Sequence, residues 1–358
     1  MLMTRQTHVK NPYRGTDQSD RFGVLRPSTE AEAVTQLLDL CPAHQPTAMT
    51  SVPALAEQAG VAALWVKDER TRMGLGSFKA LGAAYCIARD AAAVRAAQPD
   101  VSWEETLKGR AYVTASAGNH GLSLAAGARL FGAKAVIYLA ETVPEPFAER
   151  LRGIGAEVVR AGHDYEASMA AAASAAETSD LELLSDSSWP GYTDRPYHVM
   201  EGYTQMAYEA VAQLEEAPSH ILLQAGVGGL AAAVAAYARR AWGDVPQIIV
   251  VEPEHARALI GSIEAGTFTE TPGPVSEMGR LDCKAPSMVA LAGLAHDADV
   301  FVTITEEQAA DGAAVLAQHG LETTASGGAG LAALLAGVEG VGREARVLCI
   351  LSEGPEDG

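Results

Sequence analysis

Five segments of the 358-residue chain set a chemically capable side chain beside glycines or other turn-forming residues. The first is Gly74-Leu75-Gly76-Ser77-Phe78-Lys79-Ala80. Its glycines permit unusual backbone geometry, and Lys79 then opens an apolar helical run. An amine flanked by Phe78 and Ala80 is poorly solvated. Desolvation lowers an ammonium pKa, which suits a Schiff-base nucleophile. A surface lysine snorkelling from a helix start is the competing reading, although a helix N-terminus disfavours a cation. The chain has only six lysines (Lys10, Lys67, Lys79, Lys108, Lys134 and Lys284), so an amine nucleophile has few candidates.

The second segment is Thr114-Ala115-Ser116-Ala117-Gly118-Asn119-His120-Gly121. Small residues at a strand-to-helix turn expose backbone N–H groups that can hold a carboxylate. A substrate carboxylate fits there, and Asn119 is placed to meet a ring oxygen, while a lone histidine such as His120 is more often packed or hydrogen-bonded than catalytic. A plain helix cap by Ser116 or Asn119 competes with that reading. The third is Gln224-Ala225-Gly226-Val227-Gly228-Gly229-Leu230. It lacks the dinucleotide glycine spacing. Gly226, Val227, Gly228 and Gly229 thus suit a single phosphate monoester, with a close-packed glycine turn as the alternative. The fourth, Cys349-Ile350-Leu351-Ser352-Glu353-Gly354, offers the Ser352 hydroxyl to a ring nitrogen, or merely turns the chain. The fifth, 184–192, puts Asp186 beside Trp189 and Tyr192. An aspartate in such a loop also forms Asx-turns.

The elements that must position these residues alternate. Short apolar runs at 64–67, 111–114, 135–139, 157–160, 182–185, 221–224, 248–251, 301–304 and 347–351 predict strands of a parallel sheet covered on both faces. Between them, 118–130, 144–151, 165–177, 229–242, 306–319 and 328–336 predict helices. Alternating strands and helices imply an open α/β sheet with right-handed crossovers. Nine strands are many for one sheet, so two sheets in two lobes are expected, and length alone suggests two lobes. Residues 1 to about 30 are expected to form an irregular polar arm. In such folds ligands sit at the carboxyl ends of strands, where all five segments fall.

Composition narrows the partners. Hydrophobic residues at 48% and charged residues at 20% exclude a disordered chain. A net charge of −19 argues against nucleic acid and anionic membrane. No apolar run reaches the ~20 residues of a membrane span, and the first residues lack a secretory apolar core. A cytoplasmic location is expected. Cys41, Cys86, Cys283 and Cys349 are widely spaced and read as buried or half-buried thiols. No metal-binding spacing is read.

A lysine for a Schiff base, a phosphate cup, an asparagine, a carboxylate-binding turn and a C-terminal hydroxyl are the parts of a pyridoxal 5'-phosphate site. Over about 45–355 the chain resembles the tryptophan-synthase-β-like (fold type II) pyridoxal phosphate enzymes. Within that group it is similar to the diaminopropionate ammonia-lyases. The resemblance rests on Val66-Lys67-Asp68-Glu69 with Gly74–Lys79, on Gly118-Asn119-His120-Gly121, on Trp189-Pro190-Gly191-Tyr192, on Gln224 to Gly229 and on Ser352-Glu353-Gly354.

The resemblance implies a two-lobed α/β fold with twisted, mostly parallel sheets flanked by helices. A large cofactor-binding domain would span 1–105 and 191–358, and a small substrate-binding domain 106–190. Lys79 would carry the cofactor, Gly226–Gly229 would hold its phosphate, Asn119 its 3-oxygen, and Ser352 would face its ring nitrogen. A neutral hydroxyl there suits β-elimination over transamination. Asp186 would act as the base, and Ser116, Ala117, Gly118, His120, Trp189 and Tyr192 would contact an amino-acid substrate. A homodimer is expected.

One position departs from the family pattern. Ala117 stands where the ammonia-lyases usually carry a second aspartate, which serves the opposite enantiomer. The expected reaction is α,β-elimination on a small L-amino acid, best L-2,3-diaminopropionate to pyruvate and ammonia. Dehydration of L-threonine, L-serine or 3-hydroxyaspartate is the alternative, ahead of β-replacement or racemisation.

Overall fold

The computed structural model describes residues 7–23 and 25–355. Its strands are β1 (His8–Lys10), β2 (Ala48–Ser51), β3 (Ala63–Asp68), β4 (Ala111–Ala115), β5 (Lys134–Leu139), β6 (Glu157–Arg160), β7 (Leu181–Leu183), β8 (His220–Gln224), β9 (Gln247–Pro253), β10 (Val300–Ile304) and β11 (Arg346–Leu351). Its helices are α1 (Ser19–Phe22), α2 (Ala31–Leu38), α3 (Pro53–Ala59), α4 (Lys79–Ala97), α5 (Asn119–Leu130), α6 (Glu145–Ile154), α7 (Tyr165–Thr178), α8 (Asp194–Gln213), α9 (Gly229–Trp242), α10 (Ala258–Ala265), α11 (Met288–Asp297), α12 (Glu306–Gln318) and α13 (Ala329–Ala336).

Two sheets form, as expected. One has seven strands in the order β1-β10-β9-β8-β11-β3-β2, and the other has four in the order β6-β5-β4-β7. Every pairing in the four-stranded sheet is parallel. In the larger sheet only the edges, β1 on β10 and β2 on β3, are antiparallel. The central strands are buried on both faces, which is why Ile248–Val251 and Ile221–Leu223 read as continuous apolar runs. Among the described residues, no helix is long and apolar enough to cross a membrane.

The structure corrects the reading of the N-terminal arm. Residues 8–10 pair with β10, Phe22 is buried in the core, and the Asn11 amide donates to the carbonyls of Leu294, Ala295 and Ala298. Strand β7 also stops at Leu183, short of the expected 185, where the Ser185 N–H donates to the Tyr192 hydroxyl instead of to β4.

Helix α4, which starts at Lys79, crosses α8 at very close range. A Cβ on Gly82 would stand 2.5 Å from Tyr203 Cε1, and one on Gly202 would stand 2.6 Å from the Leu81 carbonyl oxygen. Only glycine lets these backbones meet, and the meeting sets Tyr203 beside Lys79.

A buried ionic cluster anchors the same region. Lys67 on β3, Glu69 and Arg72 on the turn after it, and Glu209 on α8 have side chains no more than 4% exposed. Arg72 donates to both carboxylates, and Lys67 donates to Glu209, to Gln213 and to the Thr47 carbonyl. Burial pushes the Glu209 carboxyl up, but the hydrogen bonds and charge of Arg72, then Lys67, outweigh it and hold the group at about 2.

Two outcomes follow. Gly202→Ala should lose about 1–3 kcal/mol from overpacking, read as a lower urea midpoint; an unchanged midpoint would contradict the close crossing. Glu209→Gln should cost about 3–5 kcal/mol, because two buried cations lose a partner. Glu209 has a depressed native pKa, so its stabilisation is complete above the unfolded carboxylate value and disappears as pH falls toward 2. Acid unfolding curves of wild type and Glu209→Gln should therefore converge at low pH.

Candidate active site

The loop before α4 is stitched to the chain leaving β11. In the β3–β11 pairing Leu351 faces Asp68, so Ser352 and Glu353 come level with the turn that enters the loop. The Phe78 N–H donates to the Ser352 carbonyl at 3.0 Å, and the Gly354 N–H to the Gly76 carbonyl at 3.0 Å. Gly74 and Gly76 have φ of +70° and +86°, which most side chains would resist.

Lys79 emerges from this frame. Its ammonium forms an ion pair with Asp186 and lies 5.3 Å from the Phe78 ring centroid and 5.8 Å from that of Tyr203. Burial works to lower the Lys79 pKa, but the charge of Asp186 prevails and holds it above the ordinary lysine range. Burial likewise works to raise Asp186, and the charge of Lys79 prevails and holds it below the carboxylate range. The pair thus resolves the conflict between a cation and a helix N-terminus.

Asp186 sits in a loop closed on itself. The Trp189 and Tyr192 rings stack at 4.5 Å and 21°, and their backbones exchange hydrogen bonds. The Tyr192 hydroxyl donates to the Leu183 carbonyl at 2.8 Å and accepts from the Ser185 N–H at 3.0 Å. Both aromatics therefore brace the loop that presents Asp186.

The turn after β4 lies alongside. Ser116 Oγ accepts from the N–H groups of Gly118 and Gly121, while Ala117 is exposed at the tip. His120 Nε2 donates to the Leu184 carbonyl at 2.8 Å, which leaves Nδ1 buried without a partner. Burial lowers the His120 pKa, so the ring is neutral. Asn119 donates to Glu353 Oε2 at 2.6 Å; the same carboxylate accepts from Arg280 Nε at 3.3 Å and from Thr324. The Arg280 guanidinium also packs against Gly118, 3.4 Å from where a Cβ would stand.

The glycine turn closes the site. Gly226–Gly229 leads from β8 into α9, with φ of +98° at Gly228. A Cβ on Gly226 would stand 3.0 Å from Cys283 Sγ and from Leu281 Cα. Backbone N–H groups at the start of a long helix suit an anion. Beneath it, the Gln224 amide donates to the carbonyls of Gly327 and Ile350, and Ser352 Oγ is buried 3.5 Å from the Gly327 carbonyl. Burial pushes the Cys283 thiol up to about 12, with Asp186 adding to the rise.

The structure thus gathers the expected residues at the carboxyl ends of β3, β4, β7, β8 and β11. It adds Ser77, Tyr203, Arg280, Cys283 and Glu353. Of these, only Ser77 and Glu353 fell within segments the sequence singled out. Cys283 is one of four widely spaced thiols, and nothing local distinguishes it or Arg280.

The chain matches the family model described as pyridoxal-phosphate dependent enzyme over residues 40–353. It is 31% identical over 288 residues to the diaminopropionate ammonia-lyase of Salmonella typhimurium, covering 76% of this chain and 71% of that one. A 165-residue stretch is 35% identical to the biosynthetic L-threonine dehydratase of Burkholderia multivorans, covering 45% of this chain and 31% of that one. The fold superposes on the crystal structure of Escherichia coli diaminopropionate ammonia lyase in complex with an aminoacrylate-PLP azomethine reaction intermediate. The TM-score is 0.83 at 27% identity, over 98% of this chain and 94% of that one. With its α/β architecture and this cluster of lysine, glycine turn and strand-end hydroxyl, the chain belongs to the fold type II family of pyridoxal-phosphate-dependent enzymes.

Proposed function

We propose that the protein is an ammonia-lyase that catalyses α,β-elimination on a small L-amino acid, best L-2,3-diaminopropionate. One substrate molecule and one water give pyruvate and two molecules of ammonia. The contact between Asp186 and Lys79 carries this reading: an ionised carboxylate stands against the amine that would hold the cofactor.

The residues present suit that cofactor. Gly226 and Gly228 pack too closely on Cys283, Leu281 and Ala290 to carry a Cβ, so the turn keeps a bare backbone whose N–H groups suit a phosphate. Ser77 Oγ and His120 Nδ1 are buried polar atoms with no partner in the protein. Lys79 would hold the cofactor, Gly226, Val227, Gly228 and Gly229 its phosphate, and Asn119 and Ser352 its ring. When bound, pyridoxal 5'-phosphate withdraws electrons from the substrate Cα and so acidifies its proton.

The protein's own groups do the rest. Asp186 accepts the Cα proton, for which its ionised carboxylate is placed against Lys79. Lys79 is the nearest group to take that proton onward or deliver one to the departing amine. At the turn of Ser116–Gly118 the substrate carboxylate would meet the Ala117 N–H, because the N–H groups of Ser116 and Gly118 already donate to the Tyr138 carbonyl and to Ser116 Oγ, and the strands within 106–190 form the lobe that presents it. Neutral His120 holds the 184–192 loop through the Leu184 carbonyl, and so keeps Asp186 facing Lys79. Trp189 and Tyr192 stiffen that loop around the substrate.

Ala117 favours a second reading, a dehydratase acting on L-threonine, L-serine or 3-hydroxyaspartate. Pyruvate release from L-2,3-diaminopropionate against 2-oxobutyrate release from L-threonine decides between them, and a higher kcat/KM on threonine would reject the first.

Asp186→Asn should reduce kcat by about 10²–10⁴-fold while the visible absorption of the lysine-bound cofactor persists. Lys79→Ala should abolish both activity and that absorption. Because a methyl takes no proton, D-2,3-diaminopropionate should not be turned over, and Ala117→Asp should create D-activity without removing L-activity. Equal rates on both enantiomers in the wild type would refute the single-base arrangement.

A further inference from the structure

Asp186 and the glycine turn must stand at a fixed separation if one is to act on a substrate whose cofactor the other holds. They come from different sheets. The start of α11 joins them. Helix N-termini leave backbone N–H groups without partners, and here the Asp186 loop supplies the acceptors. The Met288 N–H donates to the Ser188 carbonyl at 3.1 Å, and the Val289 N–H to Ser188 Oγ at 3.0 Å. Ser287, the residue before α11, answers in kind. Its Oγ accepts from the Ser188 N–H at 3.1 Å and shares a 2.6 Å hydrogen bond with Ser188 Oγ. The Ser287 N–H then donates to the Val227 carbonyl, inside the glycine turn, at 2.9 Å.

Ser188 and Ser287 are 1% and 0% exposed, so water does not compete for these bonds. The path from Asp186 to the cup is short: two residues along the loop, one serine pair, one backbone hydrogen bond. Buried hydroxyls that satisfy each other fix geometry more sharply than apolar packing does, because any slip leaves donors unpaired.

We infer that Ser188 and Ser287 are positioning residues that set the Asp186 carboxylate against the phosphate cup and Lys79. The inference rests on the proposed role of Asp186. Removing either hydroxyl lets the 184–192 loop drift from α11, while the glycine turn and Lys79 keep their own supports in β8 and α4.

The test uses the full-length variants Ser188→Ala and Ser287→Ala, with Ser188→Thr to restore a hydroxyl and Asp186→Asn as reference. Both alanine variants should retain the visible absorption of the bound cofactor and a KM near wild type. Their kcat should fall about 10–100-fold, the scale of an ångström-sized misplacement. The kinetic isotope effect from deuterium at the substrate Cα should rise, because proton removal then limits the rate. A second readout needs no turnover: the pH dependence of covalent capture of added pyridoxal 5'-phosphate by Lys79 in cofactor-free protein. Asp186 holds the Lys79 ammonium charged, so its drift should move the capture midpoint to lower pH by about one unit. Tyr203, Cys283, His120 and Tyr165, the other titratable groups that face Lys79, lie outside the serine link. Ser188→Thr should recover at least part of both effects.

Folded alanine variants with a wild-type isotope effect and capture midpoint overturn the inference, as does failure of both to fold. If Asp186→Asn is inactive while the serine variants are unaffected, this inference alone falls. Full activity in Asp186→Asn removes the base itself, and this inference with it.

Discussion

Two opposite charges, Lys79 and Asp186, are held together with most of each side chain out of water, and the surrounding structure depends on that contact. Either group alone would be costly there. An unpaired ammonium at a helix start faces the wrong end of the helix dipole, and an unpaired carboxylate in poor solvent takes up a proton. Together they keep each other ionised. Because the lysine leads into a helix after β3 and the aspartate follows β7, the pair also bridges the two sheets. The sheets therefore need rigid mounts on each side. On one side the mount is the crossing of α4 and α8 with the buried cluster of Lys67, Glu69, Arg72 and Glu209. On the other it is the braced 184–192 loop and its serine link to α11.

The buried cluster illustrates how charge is used for geometry. Replacing such a group of ions with apolar residues is often neutral for stability. Its value lies in alignment: hydrogen bonds of fixed length join β3, the turn carrying Arg72 and α8, and α8 carries Tyr203 six residues before Glu209. Sliding α8 by one turn would break every one of those bonds. The lysine loop thus inherits its position from a network that never touches the cleft.

Much of this was legible in the sequence, for a physical reason. Lys79, Asn119, Asp186, the Gly226–Gly229 turn and Ser352 each sit in a short segment where backbone demands and chemistry coincide, so local composition reveals them. All nine expected strands formed, because strands buried on both faces are written as apolar runs. The edge strands escaped notice for the opposite reason. β2 is mostly exposed, and β1 is three residues long. Helix α8 also went unread, since buried Gln205 and Glu209 look like surface until their partners are known. Cys283, Arg280, Ser188 and Ser287 acquire meaning only through contacts across long stretches of chain: Ser188 and Ser287 are 99 positions apart, and Arg280 and Glu353 are 73. No local pattern encodes such encounters.

The place of β11 has a consequence for how the molecule comes into being. It is the last strand described, yet it lies between β8 and β3 in the middle of the large sheet. On the ribosome, β2–β3 and β8–β9–β10 are made as two separate pieces with exposed inner edges. Those edges stay open until residue 351 has emerged, roughly tens of seconds after β3 at about 5–20 residues per second. Open strand edges invite foreign pairing. The nascent chain thus passes through a long window of vulnerability, which closes with the insertion of a single strand. Ser352 and Glu353 follow that strand, so the cleft is completed in the same event.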